Sequence, residues 1–170
     1  LWFFFPKARA VYATQNGPAK LGKWKNYLAM AIKMAQAVAP MHNSGLCHSD
    51  LSFKNFMGDP MKDSVVLLDC DSLVVPSMIP PKVLGTPFCM APELAAQLTG
   101  APQVDPDSKT DLHALATLIY WLLLQRHPLE GPKQHDLDPA LSEALALGSS
   151  ALFIENPIDH SNQRRDIPPR

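Results

Sequence analysis

The run His48-Ser49-Asp50-Leu51-Ser52-Phe53-Lys54-Asn55, with Asp69 fourteen residues beyond Asn55, constrains this chain more than any other feature. Asp69 closes the apolar stretch Val65-Val66-Leu67-Leu68, whose composition reads as a strand. A hairpin between Asn55 and Asp69 makes the three oxygen-bearing side chains a set. Phosphoryl transfer to an alcohol needs an acceptor for the hydroxyl proton and oxygen ligands that hold Mg²⁺ on the nucleotide phosphates. Asp50 suits the first role; Asn55 and Asp69 suit the second, because Mg²⁺ is a hard ion that takes only one or two protein ligands beside phosphate oxygens and waters. A loop aspartate capping amides, a turn asparagine and a strand-end cap would explain each residue singly. None of these explains their occurrence together.

Three further stretches point the same way. Gly85-Thr86-Pro87-Phe88-Cys89-Met90-Ala91-Pro92-Glu93 closes in Ala-Pro-Glu, Asp111 opens the apolar run Leu112 to Leu124, and His127-Pro128-Leu129 follows it. In order, spacing and type these motifs resemble those of the protein kinase superfamily, over roughly residues 1–130. The resemblance implies a kinase-like C-terminal (large) lobe, mainly α with short β hairpins, and the use of ATP and Mg²⁺. Asp50 is then the catalytic base or the group that orients the attacking hydroxyl, and Asn55 and Asp69 are the metal and cofactor ligands. Met57 matches the apolar residue under the adenine ring. His48 is structural, joining the loop to the motif at Asp69. Asp111 accepts hydrogen bonds from the catalytic-loop backbone, and Glu93 pairs with an arginine, for which Arg126, Arg164 and Arg165 are candidates.

The chain also departs from the family pattern. Asp69-Cys70-Asp71 stands where Asp-Phe-Gly is usual, which puts the usual flip of that segment in doubt; Cys70 is expected to be a small buried hydrophobe rather than a reactive thiol. Ser49 replaces the arginine that reads a phosphorylated activation loop, and Ser52 replaces the lysine of serine/threonine kinases. Lys54, four after the base, sits where tyrosine kinases carry an arginine and could neutralise the γ-phosphate; a solvated surface lysine is an equal reading. Thr86 resembles the threonine that touches the base in serine/threonine kinases, and we lean to that acceptor class. Asp69-Cys70-Asp71-Ser72, with the Ser-Asp-Leu-Ser loop, is similar to a bacterial kinase-like branch found with phosphatases and tellurite-resistance-type partners.

The 170 residues suffice for one domain with a core, and 46% hydrophobic content marks it as globular. Net charge is −1 and no basic run occurs, so neither nucleic acid nor an anionic membrane is expected as a partner. Cys47, Cys70 and Cys89 show no paired-ligand spacing, which favours a reducing compartment, and the cytoplasm is the expected location. Leu1 to Phe5 is too short for a secretory signal, and Leu112 to Leu124 too short to span a bilayer.

Along the chain, Trp2 to Phe5 reads as a buried strand ended by Pro6, so residues 1–9 are expected to be the last small-lobe strand and the hinge. Residues 10–155 form the lobe, beginning with a turn or loop around Asn16-Gly17-Pro18. Leu28, Ile32, Ala35, Val38 and Ala39 recur at helical spacing over 21–42, with Gly45 as a left-handed stop and Pro40 an awkward member of the last turn. Two short strands are expected around the catalytic-type loop within 46–69. Seven prolines between 72 and 108 argue for loops with a short helix near Pro92 to Leu98. Ser108-Lys109-Thr110-Asp111 resembles a capping box, Asp138-Pro139 opens a helix over Ala140 to Leu147, and 156–170 is a loosely packed tail.

No Gly-x-Gly-x-x-Gly occurs, and the missing initiator Met suggests a fragment. The implied parent is a protein kinase, its partners a protein substrate and the missing small lobe of the same chain; this piece alone is expected to be inactive. A pseudokinase scaffold is the alternative. A small-molecule kinase is disfavoured, because kinases of that kind generally lack Ala-Pro-Glu.

Overall fold

A computed structural model describes residues 2–80, 85–135, 147–148 and 150–164. Its frame is two long helices packed on each other, α2 (Trp24–Asn43) and α4 (Ser108–Leu124), with a two-stranded antiparallel hairpin, β1 (Phe56–Asp59) and β2 (Ser64–Leu67), lying on α2. The architecture is mainly helical, as expected. Both strands follow the loop instead of flanking it. On its upstream side the loop has only an isolated bridge between Cys47 and Val74.

The first residues differ from expectation. Trp2–Phe4 is a 3₁₀ turn, not a strand, and Pro6 begins α1 (Pro6–Asn16) instead of ending a strand. Proline's fixed φ is preorganised for the first helical position, and extended Phe5 serves as N-cap. The aromatic run is buried through tertiary contact: Phe3 and Phe4 enter the core, and Gln125 Nε2 donates to Phe3 O at 3.0 Å. The expected turn at Asn16-Gly17 falls at the end of α1, where Gly17 adopts φ +88.

In α2 the Lys23 amide donates to Asn26 Oδ1 at 2.7 Å and opens the helix. Gly45, at φ +75, ends it, its amide bonding His42 O at 2.9 Å. Pro40 is absorbed one turn before the end. The buried face is Tyr27, Met30, Ala31, Met34 and Val38. This corrects the sequence reading: of the stripe Leu28, Ile32, Ala35, Val38 and Ala39, only Val38 is buried. The helix is apolar over more than half its circumference, so periodicity alone could not choose the inward side. The methionines won because they reach into gaps under the hairpin. A Cβ on Gly58 would lie 2.6 Å from Met30 Cε, so a residue without one lets β1 approach α2 that closely.

Helix α4 is capped one residue earlier than expected. Asp107, not Ser108, is the N-cap: its Oδ1 accepts from the amides of Lys109 (2.8 Å) and Thr110 (2.9 Å), and the Thr110 hydroxyl accepts from the Asp107 amide (3.0 Å). Asp caps as well as Ser, and its charge also interacts favourably with the helix dipole. The shift releases Asp111 from capping. Short α3 (Pro92–Ala95) runs into a 3₁₀ turn, as expected. The helix expected over Ala140 to Leu147 lies almost wholly outside the described residues. No helix among the described residues is long and apolar enough to cross a membrane.

The segment after 156 holds an anchor where loose packing was expected. Asn162 is buried, its Nδ2 donates to Leu129 O (3.0 Å) and Leu152 O (2.6 Å), and its Oδ1 accepts from the Lys133 amide at 3.2 Å. Replacing it strands several buried backbone groups, each costing about 1–3 kcal/mol. Asn162→Ala should therefore lower the urea midpoint by an amount equivalent to about 2–4 kcal/mol at unchanged m-value, whereas Ile158→Ala, at a position 89% exposed, should leave it within error.

Candidate active site

The loop that carries Asp50 is held from below by one carboxylate. Asp111, 1% exposed, accepts from the His48 amide (Oδ2, 2.7 Å) and the Ser49 amide (Oδ1, 3.0 Å), as the resemblance implied. A third donor, His42 Nε2 at 2.9 Å from Oδ2, reaches it from the last turn of α2. Sequence reasoning missed His42. Its signal was weak: a polar residue one turn from Val38 and six residues before His48, without a partner legible in the chain.

His48 is structural, as expected. It is fully buried, and its Nε2 donates to Leu68 O at 3.1 Å, which fixes the residue before Asp69 relative to the loop. Ser49 adopts φ +63, and its hydroxyl donates to Ser72 O at 2.6 Å while the Ser72 hydroxyl donates to His48 O at 3.0 Å. This reciprocal pair clamps the turn after Asp69 onto the catalytic-type loop. Ser72 was the second residue missed, since its role exists only when the two loops meet.

Asp50 is braced on both oxygens. Thr86 Oγ1 donates to Oδ1 at 2.7 Å. Asn55 Nδ2 donates to the Asp50 carbonyl at 2.8 Å and reaches Oδ2 at 3.4 Å. The amide nitrogen of Asn55 is thereby committed, and its Oδ1 is left as a hard oxygen acceptor. Asp69 sits on the exposed side at φ +60, opening the 3₁₀ turn Cys70–Ser72. The pairing Phe56↔Leu67 and the bond from the Leu68 amide to Asn55 O (2.8 Å) bring Asn55 and Asp69 to the same end of the hairpin. One amide oxygen and one carboxylate suit Mg²⁺ that brings phosphate and water as its other ligands. Among the described residues no group of three or more His, Cys, Asp or Glu could hold a metal, so no all-protein metal cage competes with that arrangement.

The remaining candidates are exposed. Lys54 projects to solvent, and its backbone amide bonds Ser52 Oγ at 3.3 Å. Met57 is 59% exposed and lies opposite Val66, so the outer face of the hairpin is an apolar platform. Cys70 is exposed, not the buried hydrophobe expected, because the turn after Asp69 points it outward. The buried thiols are inert: burial pushes both Cys47 and Cys89 up to about 12, with the Asp111 and Asp50 carboxylates respectively adding in the same sense.

The segment that delivers Thr86 has its own tether. His127, 1% exposed, donates from Nε2 to Phe88 O at 2.6 Å and accepts the Leu129 amide on Nδ1 at 3.1 Å. Phe88 is held at φ +68, against the rings of Trp121 and His127. Glu93 is exposed, and Arg126, one of the arginines expected to pair with it, pairs instead with Glu155 at 3.0 Å beside the Tyr120 hydroxyl; Arg165 lies outside the described residues.

No protein-family model matches the chain. Among curated proteins it is similar to serine/threonine-protein kinase PknD of Chlamydia felis, 31% identical over 127 residues, covering 63% of this chain and 13% of that protein. The dual serine/threonine and tyrosine protein kinase of Apis mellifera is 29% identical over 104 residues, 61% of this chain and 10% of that protein. PknD of Chlamydia caviae is 26% identical over 163 residues, 84% of this chain and 16% of that protein. The chain spans only about a tenth to a sixth of the length of these relatives.

Burial holds the His127 imidazole down to about 4, and the Phe88 carbonyl opposes that only in part. A folded-state value below the ordinary ~6.5 means the unfolded chain takes up the proton first. Stability contributed by neutral His127 is therefore complete above about pH 6.5 and lost as pH falls toward about 4, by an amount on the order of 3 kcal/mol. Urea denaturation between pH 7 and 4.5 should show this loss, and His127→Gln, less stable at pH 7, should show a shallower slope.

Proposed function

From a chain related to the protein kinases, we propose that its parent transfers the γ-phosphate of MgATP to a protein hydroxyl, of serine or threonine. The observation that carries this reading is the 2.7 Å bond from Thr86 to Asp50, which joins the segment ending in Ala-Pro-Glu to the base itself. That contact belongs to a site that recognises a polypeptide acceptor, because residues 85–93 then lie beside the attacking hydroxyl. Asp50, with one oxygen held by Thr86 and the other near Asn55, orients that hydroxyl and accepts its proton. Asn55 Oδ1 and the Asp69 carboxylate would hold Mg²⁺, which when bound neutralises charge on the transferred phosphoryl group. Lys54 supplies a further cation near the γ-phosphate, and Met57 with Val66 forms the apolar floor for adenine. Residues 1–9 lead in from a small lobe carried elsewhere in the parent, 10–155 form the large lobe, and this piece alone binds nucleotide weakly. A non-catalytic scaffold is the second reading. It is favoured by Asp71 in place of glycine and by the Ser49 to Ser72 clamp, which ties down a turn that moves in switchable kinases.

Transfer of γ-phosphate from MgATP by the intact parent, to itself and to a generic protein, decides between them. Asp50→Ala should lower the rate by a factor of about 10² to 10⁴, Asp69→Asn should abolish the Mg²⁺-dependent rate, and Thr86→Ala should cost roughly tenfold. Absence of transfer by the folded parent, or rates unchanged in the Asp50 and Asp69 variants, would leave the scaffold.

A further inference from the structure

One exposed row of α2 is apolar where a surface helix should be polar. Trp24 is 57% exposed, Leu28 46% and Ile32 52%, and they follow one another at i, i+4 and i+8, with Ala35 and Ala39 extending the ridge. About four turns of ridge, about 22 Å at 1.5 Å per residue, stand uncovered. Isolated exposed apolar residues are ordinary, but a contiguous row of this kind marks an interaction surface.

Charge identifies what fits it. Residues 1–49 contain six Lys and Arg and no Asp or Glu; the first acidic residue of the chain is Asp50. The other 121 residues hold the remaining nine basic and all sixteen acidic residues, so the net charge of −1 divides into +6 and −7. On α2, Lys25 and Lys33 form a parallel row about 100° round the helix from the ridge, both exposed and neither in an ion pair among the described residues. Two acidic contacts to the helix lie off the ridge, Asp63 with Asn26 Nδ2 at 2.8 Å near the first turn and Asp111 with His42 Nε2 at 2.9 Å in the last.

We propose that this ridge docks an acidic amphipathic helix of a protein partner, with apolar residues at i, i+3/i+4 and i+7 laid along Trp24, Leu28 and Ile32 and carboxylates paired with Lys25 and Lys33. A helix-on-helix contact of this length uses the i, i+4 rows as ridges and buries the three side chains that water now covers. Flanking lysines raise the association rate and select the acidic partner more than they add affinity. A second copy of this chain is disfavoured, because a twofold contact would set the same lysine rows against each other. The contact is small and so belongs to the weak, transient class.

The test is selection of 16-residue peptides from an unbiased displayed library against the chain, with binding measured by fluorescence anisotropy at low and high salt. Vesicles of phosphatidylserine and phosphatidylcholine, and sedimentation of the chain alone, run beside it. The expected result is Glu- and Asp-rich amphipathic peptides whose affinity falls at least about tenfold against Leu28→Asp/Ile32→Asp and against Lys25→Glu/Lys33→Glu, and falls with salt. Both double variants change exposed positions, and an unchanged circular dichroism melt verifies their fold. Selection of basic or uncharged peptides, binding indifferent to both variants, or no binders overturns the proposal. So does vesicle binding through this face, or dimerisation that Leu28→Asp/Ile32→Asp abolishes.

Discussion

The structure of the site depends on a single buried carboxylate. Asp111 is almost wholly removed from water, which alone would disfavour its charge strongly. Three donors offset that cost: two consecutive backbone amides, from His48 and Ser49, and the His42 ring. Two adjacent amides can converge on one carboxylate only if the backbone between them turns, and Ser49 takes the left-handed conformation that allows it. The strained residue and the buried charge therefore support one another. Removing the carboxylate would leave two buried amides unpaired and take away the reason for the turn.

The rest of the site follows from that anchor. Once His48 and Ser49 are fixed, their side chains reach the other way, His48 to the carbonyl of Leu68 and Ser49 to that of Ser72. The residues on either side of Asp69 are thus set by the residues just before Asp50. Asn55 closes the loop from its far end through the Asp50 carbonyl, and its own carbonyl takes the Leu68 amide. Two loops far apart in the chain become one rigid body with oxygen atoms on its exposed side. Thr86 is added by a separate mechanism, the neutral imidazole of His127 holding the Phe88 carbonyl. Preorganisation of this sort is what positions a base without relying on flexible side chains.

Much of this was legible in the chain. Asp50, Asn55, Asp69, Thr86 and Asp111 were named from motif order, and the structure bonds Thr86 and Asn55 to Asp50, brings Asp69 to the same end of the hairpin as Asn55, and sets Asp111 under the loop. What sequence did not disclose has physical reasons. The inward face of α2 was misassigned because apolar residues occupy both sides, and only the hairpin pressing on Met30 and Met34 distinguishes them. The strand expected at Trp2 to Phe5 became a 3₁₀ turn because burial of aromatics by tertiary contact overrides β propensity. His42 and Ser72 escaped notice because each acts on a residue from a different loop. The cap of α4 was misplaced by one residue, a slip with functional content: a carboxylate at position 111 used as a cap could not also hold the loop.

The exchange of Ser49 for the arginine usual in the resembled family then has a structural meaning. An arginine there reads a phosphate brought in by the activation segment, so the order of the site waits on a modification. A serine hydroxyl is too short for that and bonds the nearest carbonyl instead, that of Ser72. Ser72 completes the exchange by returning its hydroxyl to His48 O. With Asp71 in place of a flexible glycine at the same turn, the segment after Asp69 is held at Ser72 by two hydroxyl–carbonyl hydrogen bonds. A site wired in this way has its geometry built in by packing. The uncovered ridge of α2 begins at the other end of the helix that supplies His42 to Asp111, and a partner seated there would bear on the element behind the anchor.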